Sequence, residues 1–330
     1  MPFDYYPIIS TYSTALNAYG TALAVIAAVL LDALIGEPKR WHPLVGFGNL
    51  SNHLERRLNM CINPLKARIV GLLSWLALLM PCVAISYTAT HTPLMGGAIA
   101  WFADMLLLYF AIGSHSLMQH AQQIYQPLLQ HDLKKARRAL SMIVSRDTAQ
   151  LNEDEITTAT IESVLENGND AIFGAIFWFV LFGGTGAILF RLANTLDAMW
   201  GYRTPRFLYF GWAAARLDDL LNLIPARLTA LSYALCGHSS SAIKCWFTQA
   251  HTWYSPNAGP VMATGAGALR IKLGGSAIYH GSIKQRPTLG VGVAPEASHI
   301  LHSIKLVKHS LALWCVMIIT LSILRGAYLA

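Results

Sequence analysis

The sequence predicts an all-α integral membrane protein with about four transmembrane helices, a partial or re-entrant segment, and long cytoplasmic helical insertions. Three observations carry this. Of 330 residues, 54% are hydrophobic and only 12% charged, whereas soluble domains carry about a quarter charged residues. The apolar residues gather into runs near the roughly 20 residues that a spanning helix needs, at 21–35, 69–87, 94–112 and 309–324. Lys and Arg collect in the segments between those runs, as they do in the inside loops of membrane proteins.

Residues 1–20 hold no Lys or Arg, whereas residues 36–68 hold Lys39, Arg40, Arg56, Arg57, Lys66 and Arg68. The first run therefore passes from outside to inside. Neither a basic n-region nor a small-residue cleavage pattern accompanies it, so it reads as a retained helix. Asp32 lies near its end, and an acid in an apolar helix is costly unless it faces a partner or a cavity. Asp104, inside the third run, invites the same argument. Glu37, Lys39, Arg40 and His42 follow the first run as ordinary interfacial charges. The loop at 88–93 again lacks Lys and Arg, which fits two further crossings and puts 113–170 in the cytoplasm.

The run at 171–190 is interrupted by Gly183, Gly184 and Gly186. A turn there between two half-helices makes the segment re-entrant and keeps the basic stretch 191–308 inside; a full crossing with a return at 217–235 is the alternative. The chain then reads as one membrane domain over 1–330 with cytoplasmic insertions at about 113–170 and 191–308. The net charge of +7 follows from this topology and does not call for nucleic acid. The five cysteines are scattered without a C-x-x-C pair, which predicts neither a disulfide framework nor a zinc site.

Local signals punctuate the insertions. Asp132 N-caps "LKKARRALSMIV", which places Leu133, Ala136, Leu140 and Ile143 on one face and Lys134, Lys135, Arg137 and Arg138 on the other, a helix suited to an anionic membrane surface. Asn152 as N-cap with Glu155 at N3 is a variant capping box, and Glu153 and Asp154 suit the helix dipole. Glu162, Glu166 and Asp170 lie deeper, where capping does not account for them. Like charges at i,i+4 repel, so a cation or a ligand has to compensate them. With Asn167 and Asn169 nearby, the three acids are candidate oxygen ligands for Mg²⁺, with Glu162 and Glu166 also candidates for catalysis; an ordinary solvated face is the plain alternative.

Downstream, "RLANTLDAMWGYRTPRFLYFGWAAARLDDLLNLIPARL" alternates acids and arginines. Asp197, Asp218 and Asp219 as catalytic, metal-holding acids beside Arg203, Arg206 and Arg216 as forks for phosphate is one reading, and ion pairs that serve only packing is the other. In "YSPNAGPVMATGAGALRIKLGG", Ser255 and Asn257 stand before a small-residue helix and Arg270 and Lys272 after it. Backbone amides at such a helix start can cradle an anion. Gly and Ala at this density also mean close helix packing.

Five blocks taken in order, "DALIGEPKRWHPLVGFG", "SRDT", "IESVLENGND", "YRTPRFLYFGWAAARLDDLLNLIPARL" and "SPNAGPVMATGAGALRIKLGG", resemble the adenosylcobinamide-phosphate synthase family of cobalamin biosynthesis, over about residues 30–281. The resemblance implies an integral membrane ligase that joins a corrinoid, adenosylcobyric acid, to an amino-alcohol phosphate (aminopropanol O-phosphate or ethanolamine phosphate) using ATP and Mg²⁺. It also implies an inner-membrane location, an active site on the cytoplasmic side, and other late cobalamin-pathway enzymes as neighbours. Within that reading, the amine phosphate is expected on the side of Ser255, Asn257, Arg270 and Lys272, and ATP on the arginine–aspartate side. Two other classes remain: a membrane prenyl- or alcohol-phosphotransferase, which calls for a tighter D-x-x-x-D cluster than this sequence holds, and a transporter, which calls for a second broken segment.

Overall fold

The computed structural model describes residues 6–38, 43–60, 63–91, 96–279 and 282–329; Lys39, Arg40, His42 and Cys61 lie outside the described residues. In chain order the elements are α1 (Tyr6–Ile35), α2 (Pro43–Leu58), α3 (Pro64–His91), α4 (Gly96–Ala111), α5 (Ser114–Leu129), α6 (Leu133–Leu140) and α7 (Glu153–Gly168). A five-residue π-turn, Asn169–Phe173, joins α7 to α8 (Gly174–Trp200). There follow α9 (Trp212–Leu221), α10 (Leu223–Cys236), α11 (Ser239–Gln249), α12 (Ala258–Leu269), an antiparallel hairpin of β1 (Lys272–Tyr279) and β2 (Ser282–Gly290), and α13 (Ser298–Leu329).

Pro64–His91, Gly97–Leu129, Glu153–Trp200 and Ser298–Tyr328 are long and apolar enough to cross a membrane, and Tyr19–Ile35 and Leu223–Cys236 are shorter apolar helices. The protein is therefore a multi-pass, almost wholly helical membrane protein, as its composition predicts. The hairpin is the one departure from all-α among the described residues. It forms around Gly274 and Gly275, whose positive φ angles of 92° and 79° suit glycine far better than a residue with a Cβ and coincide with a bulge between Leu273 and Gly275.

The chain divides into two units, the first made of residues 1–112, 175–218 and 313–330 and the second of 113–174 and 219–312. In the first, the glycines at 183–186 act as the sequence suggests. Helical geometry fails at Phe182 (φ −135°, ψ 19°) and Gly183 (φ 62°, ψ −157°). A Cβ on Gly186 would collide with the carbonyl oxygen of Trp178, although eight residues of straight helix would set the two about 12 Å apart. The chain is thus folded sharply at this point. Asp104 explains how the break survives among apolar helices: its carboxylate accepts the N–H of Gly184 at 2.7 Å, an amide that the broken helix cannot satisfy internally. Asp32 is buried, at 1% exposure. Elsewhere in this unit Tyr109 donates to the carbonyl of Gly36 at 2.6 Å, and Trp101 to that of Gly20 at 2.8 Å.

The second unit is built around α12, of which every residue from Ala258 to Ala268 is buried. Its small side chains admit neighbours at close range: a Cβ on Gly265 would meet Leu165 of α7 at 2.8 Å, and one on Gly267 the carbonyl of Ser241 at 2.7 Å. The small-residue run therefore serves packing. Both predicted caps form. Asp132 accepts the N–H of Lys135 at 3.1 Å, with Ala136 and Leu140 of α6 buried. Asn152 and Glu155 complete the capping box of α7. Beyond its first turn α7 is largely buried, so Glu162 does not lie on a solvated face.

Candidate active site

A buried ion cluster in the second unit answers the question raised by the acids of α7. The Glu162 carboxylate is bonded by Arg146 Nη2, from the loop after α6, by Arg286 Nη1 of β2 at 2.8 Å, and by the N–H of Gly274 at 2.9 Å. The three side chains are only 4%, 9% and 6% exposed, in the order Glu162, Arg146, Arg286. Charges are tolerated at such depth only when paired and hydrogen-bonded. Arg286 also donates to the carbonyls of Gly275 and Gly274, both at 3.2 Å, and its guanidinium lies 5.5 Å from the ring centre of Trp253. Glu162 thereby ties the glycine bulge and β2 to α7.

Glu162, Arg146 and Arg286 line a pocket of about 130 Å³, together with Glu166, Asn167, Trp253 and Tyr254. Asn167 is held by its own helix, donating to the carbonyl of Ser163 at 2.9 Å and to its hydroxyl at 3.1 Å. Asp170 belongs elsewhere. It stands in the first turn of the π-segment, where its Oδ1 accepts from Asn169 Nδ2 at 2.8 Å. Asn169 in turn donates to Asn222 at 2.7 Å and accepts from Thr229 at 3.0 Å. Among the described residues no three His, Cys, Asp or Glu side chains are grouped closely enough to hold a metal ion. The expected Mg²⁺ set of Glu162, Glu166 and Asp170 therefore does not come together: Glu162 is engaged by three donors, and Asp170 sits in a separate polar cluster.

The helix start at "SPNAG" is also already satisfied. Ser255 Oγ accepts the N–H groups of Asn257 and Ala258 at 3.3 and 3.1 Å, and the Ser255 carbonyl accepts that of Gly259 at 3.2 Å, so the expected anion cradle is filled by the protein itself. Asn257 is buried and works structurally, accepting from Arg227 Nη1 at 2.7 Å and donating to the carbonyl of Asp219 at 2.7 Å. Arg270 is exposed in the left-handed C-cap of α12, with φ 55°, and Lys272 is exposed on β1.

In the first unit, Arg206 is paired with Glu55 of α2, Nε donating to Oε1 at 2.9 Å and Nη2 to Oε2. Asn59 donates to both the Glu55 carboxylate, at 2.7 Å, and the Arg206 carbonyl, at 2.9 Å. Arg203 and Arg216 are exposed, Asp197 is half-buried, and Asp218 is buried, accepting from Asn194 at 3.3 Å. Arg68 rests over the rings of Tyr209 and Trp212, at 5.7 and 5.5 Å. Of the arginines expected as phosphate forks, Arg206 thus serves packing, the plainer of the two readings. Glu55 itself was missed by sequence reasoning. A signal existed, since Phe47, Ser51 and Glu55 form a buried i,i+4,i+8 stripe, and an acid that continues such a stripe needs a cation.

Burial pushes the Glu55 carboxyl up, but hydrogen bonds from Arg206 and Asn59 and the positive charge of Arg206 outweigh it and hold it below its usual value of 4.5. A carboxylate depressed in the folded state stabilises fully above its unfolded value and loses that contribution as pH falls through the folded one. The thermal midpoint should therefore drop on acidification below about pH 4.5, and Glu55→Gln should flatten that limb. Identical acid limbs for the two proteins would remove Glu55 from the account.

Fold and site together define a class: a multi-pass helical membrane protein with a small pocket beside α7 that is lined by charges of both signs. The chain belongs to the CobD/Cbib protein family, whose model matches residues 25–307. Among similar proteins, the cobalamin biosynthesis protein CobD of Stutzerimonas stutzeri is 52% identical over 90% of this chain and 96% of its own. The protein of the same name from Chromobacterium violaceum is 50% identical over 93% and 98%, and that of Mycobacterium tuberculosis 38% identical over 86% and 90%. No solved structure matches the chain.

Proposed function

We propose that this protein acts in cobalamin biosynthesis, at the inner membrane with its reacting groups on the cytoplasmic side, as an ATP-dependent ligase. The acid would be adenosylcobyric acid and the amine a small amino-alcohol phosphate. Kinship with proteins named for cobalamin biosynthesis supports the pathway. The observation that best supports the reaction is the pocket beside α7: at about 130 Å³ it falls well below the roughly 300–1,000 Å³ of sites for drug-sized ligands, and it carries both signs of charge. That suits a small amine phosphate and excludes a corrin ring.

In this reaction ATP converts the corrinoid carboxylate to an acyl phosphate, releasing ADP. The amine nitrogen then attacks the acyl carbon, the C–O bond to phosphate breaks, and the nitrogen loses a proton. The chain's contribution would be to hold the amine phosphate fixed for attack, which can account for much of the barrier lowering, and to take up the ammonium proton on the Glu166 carboxylate. Mg²⁺ would accompany ATP; no step here runs through the Glu162, Glu166 and Asp170 set, which does not fit it. Purified protein given adenosylcobyric acid, ethanolamine phosphate, ATP and Mg²⁺ should yield the amide, seen by mass spectrometry, with one ADP for each bond formed. Amide formation without ATP, or ADP release without amide, would overturn the proposal.

A further inference from the structure

We infer that the pocket beside α7 is a metal-free subsite for a small zwitterion, in which the Arg146 and Arg286 side neutralises the acid group, Glu166 neutralises the ammonium, and Glu162 is a positioning residue. The inference deepens the function proposed above and rests on that reading for the identity of the amine. Its own basis is the charge and order of the lining. Two guanidiniums and two carboxylates line one small cavity. A bare phosphate would meet two carboxylates there, and a bare divalent cation two guanidiniums. A molecule with an acid at one end and an ammonium at the other is opposed at neither.

Glu162 is distinguished from Glu166 by its depth. It is 4% exposed and shared among Arg146, Arg286 and the Gly274 amide. Its charge is thereby spent on fixing the two guanidiniums in place, which is what a binding constellation requires of its supporting groups. Glu166 is only half-buried and borders the same cavity, so it is the acid placed to meet an incoming ammonium. Arg146 bonds Glu162 through one of its two terminal nitrogens, while a guanidinium carries five N–H donors in a fork that matches phosphate.

The test is calorimetric titration of the full-length protein in lipid nanodiscs with ethanolamine phosphate, without ATP or corrinoid and with EDTA present. Saturable binding is expected, with ethanolamine alone and inorganic phosphate each weaker by about 100-fold or more. Glu166→Gln should weaken ethanolamine phosphate by about tenfold or more and leave inorganic phosphate bound no more weakly than before. Glu162→Gln should lose affinity, and Glu162→Asp, which keeps the charge, should recover most of it. Electron paramagnetic resonance with Mn²⁺ should show no stoichiometric site in any of these proteins. Binding that EDTA abolishes, a Mn²⁺ site lost in Glu162→Gln, equal affinity for inorganic phosphate, or an unchanged Kd in Glu166→Gln would each sink the subsite. If wild type makes amide while Glu166→Gln keeps the wild-type KM for the amine, the subsite is wrong and the reaction stands. If the zwitterion binds as expected and no amide forms, the subsite stands and the reaction is wrong.

Discussion

Replacing Glu162 by alanine should cost about 3–5 kcal/mol, the usual penalty for removing one partner of a buried ion pair. The loss is large because two guanidiniums, 9% and 6% exposed, would lose the carboxylate that they share. The Gly274 amide would lose its acceptor as well. Reversible unfolding in mixed detergent measures the effect. Limited proteolysis should also cut the hairpin at 272–290 sooner in the variant, because Glu162 is what fastens it to α7. Glu166→Ala, half-exposed in the same cavity, should stay within about 1 kcal/mol of wild type. Equal losses in the two variants would mean that the clamp is not the stabilising feature.

Alanine at Gly211 or Gly71 should be nearly as damaging, although the substitution is chemically slight. Gly71 lies inside α3, where alanine is intrinsically better than glycine by roughly 1 kcal/mol. Packing reverses that sign: the added Cβ would collide with the carbonyl oxygen of Phe210, and one on Gly211 with that of Trp200. The obstacle in both cases is backbone, which cannot rotate away as a side chain can, so a loss of about 1–3 kcal/mol or more is expected. Gly46 supplies the control. It too is helical, but a Cβ there meets nothing within 4 Å, and Gly46→Ala should stabilise slightly. A common sign for all three, read from thermal midpoints and monodisperse yield, would refute the close approaches.

What could be read from the chain followed the reach of its rules. Asp132 and Asn152 announced their caps because a cap is decided within four residues. Gly183 and its neighbours announced a break because the conformation is local. The same rules showed that Glu162 and Glu166 needed compensation, since the conflict is between neighbours on one helix. They did not show by what. Arg146 lies 16 residues away and Arg286 124, and only the folded topology brings them to the same carboxylate. Arg286 stands in a hairpin whose alternation is obscured by its glycines. At "SPNAG" the error had another source: the helix start was recognised, but Ser255, taken for part of an anion site, is itself the group that occupies it.

The π-turn at Asn169–Phe173 has a meaning in the language of insertions and deletions. One surplus residue in a helix turns everything beyond it by about 100° relative to what precedes it, and this turn holds such a surplus between Gly168 and Gly174. A single-codon deletion there would shorten the chain by only one residue, yet it would rephase the segment. With one of residues 171–173 removed, the N–H of Gly174, which here reaches back five residues to the Asn169 carbonyl, would close an ordinary four-residue helical bond to it. The reading frame of side chains along this helix is thus offset by one beyond Asn169.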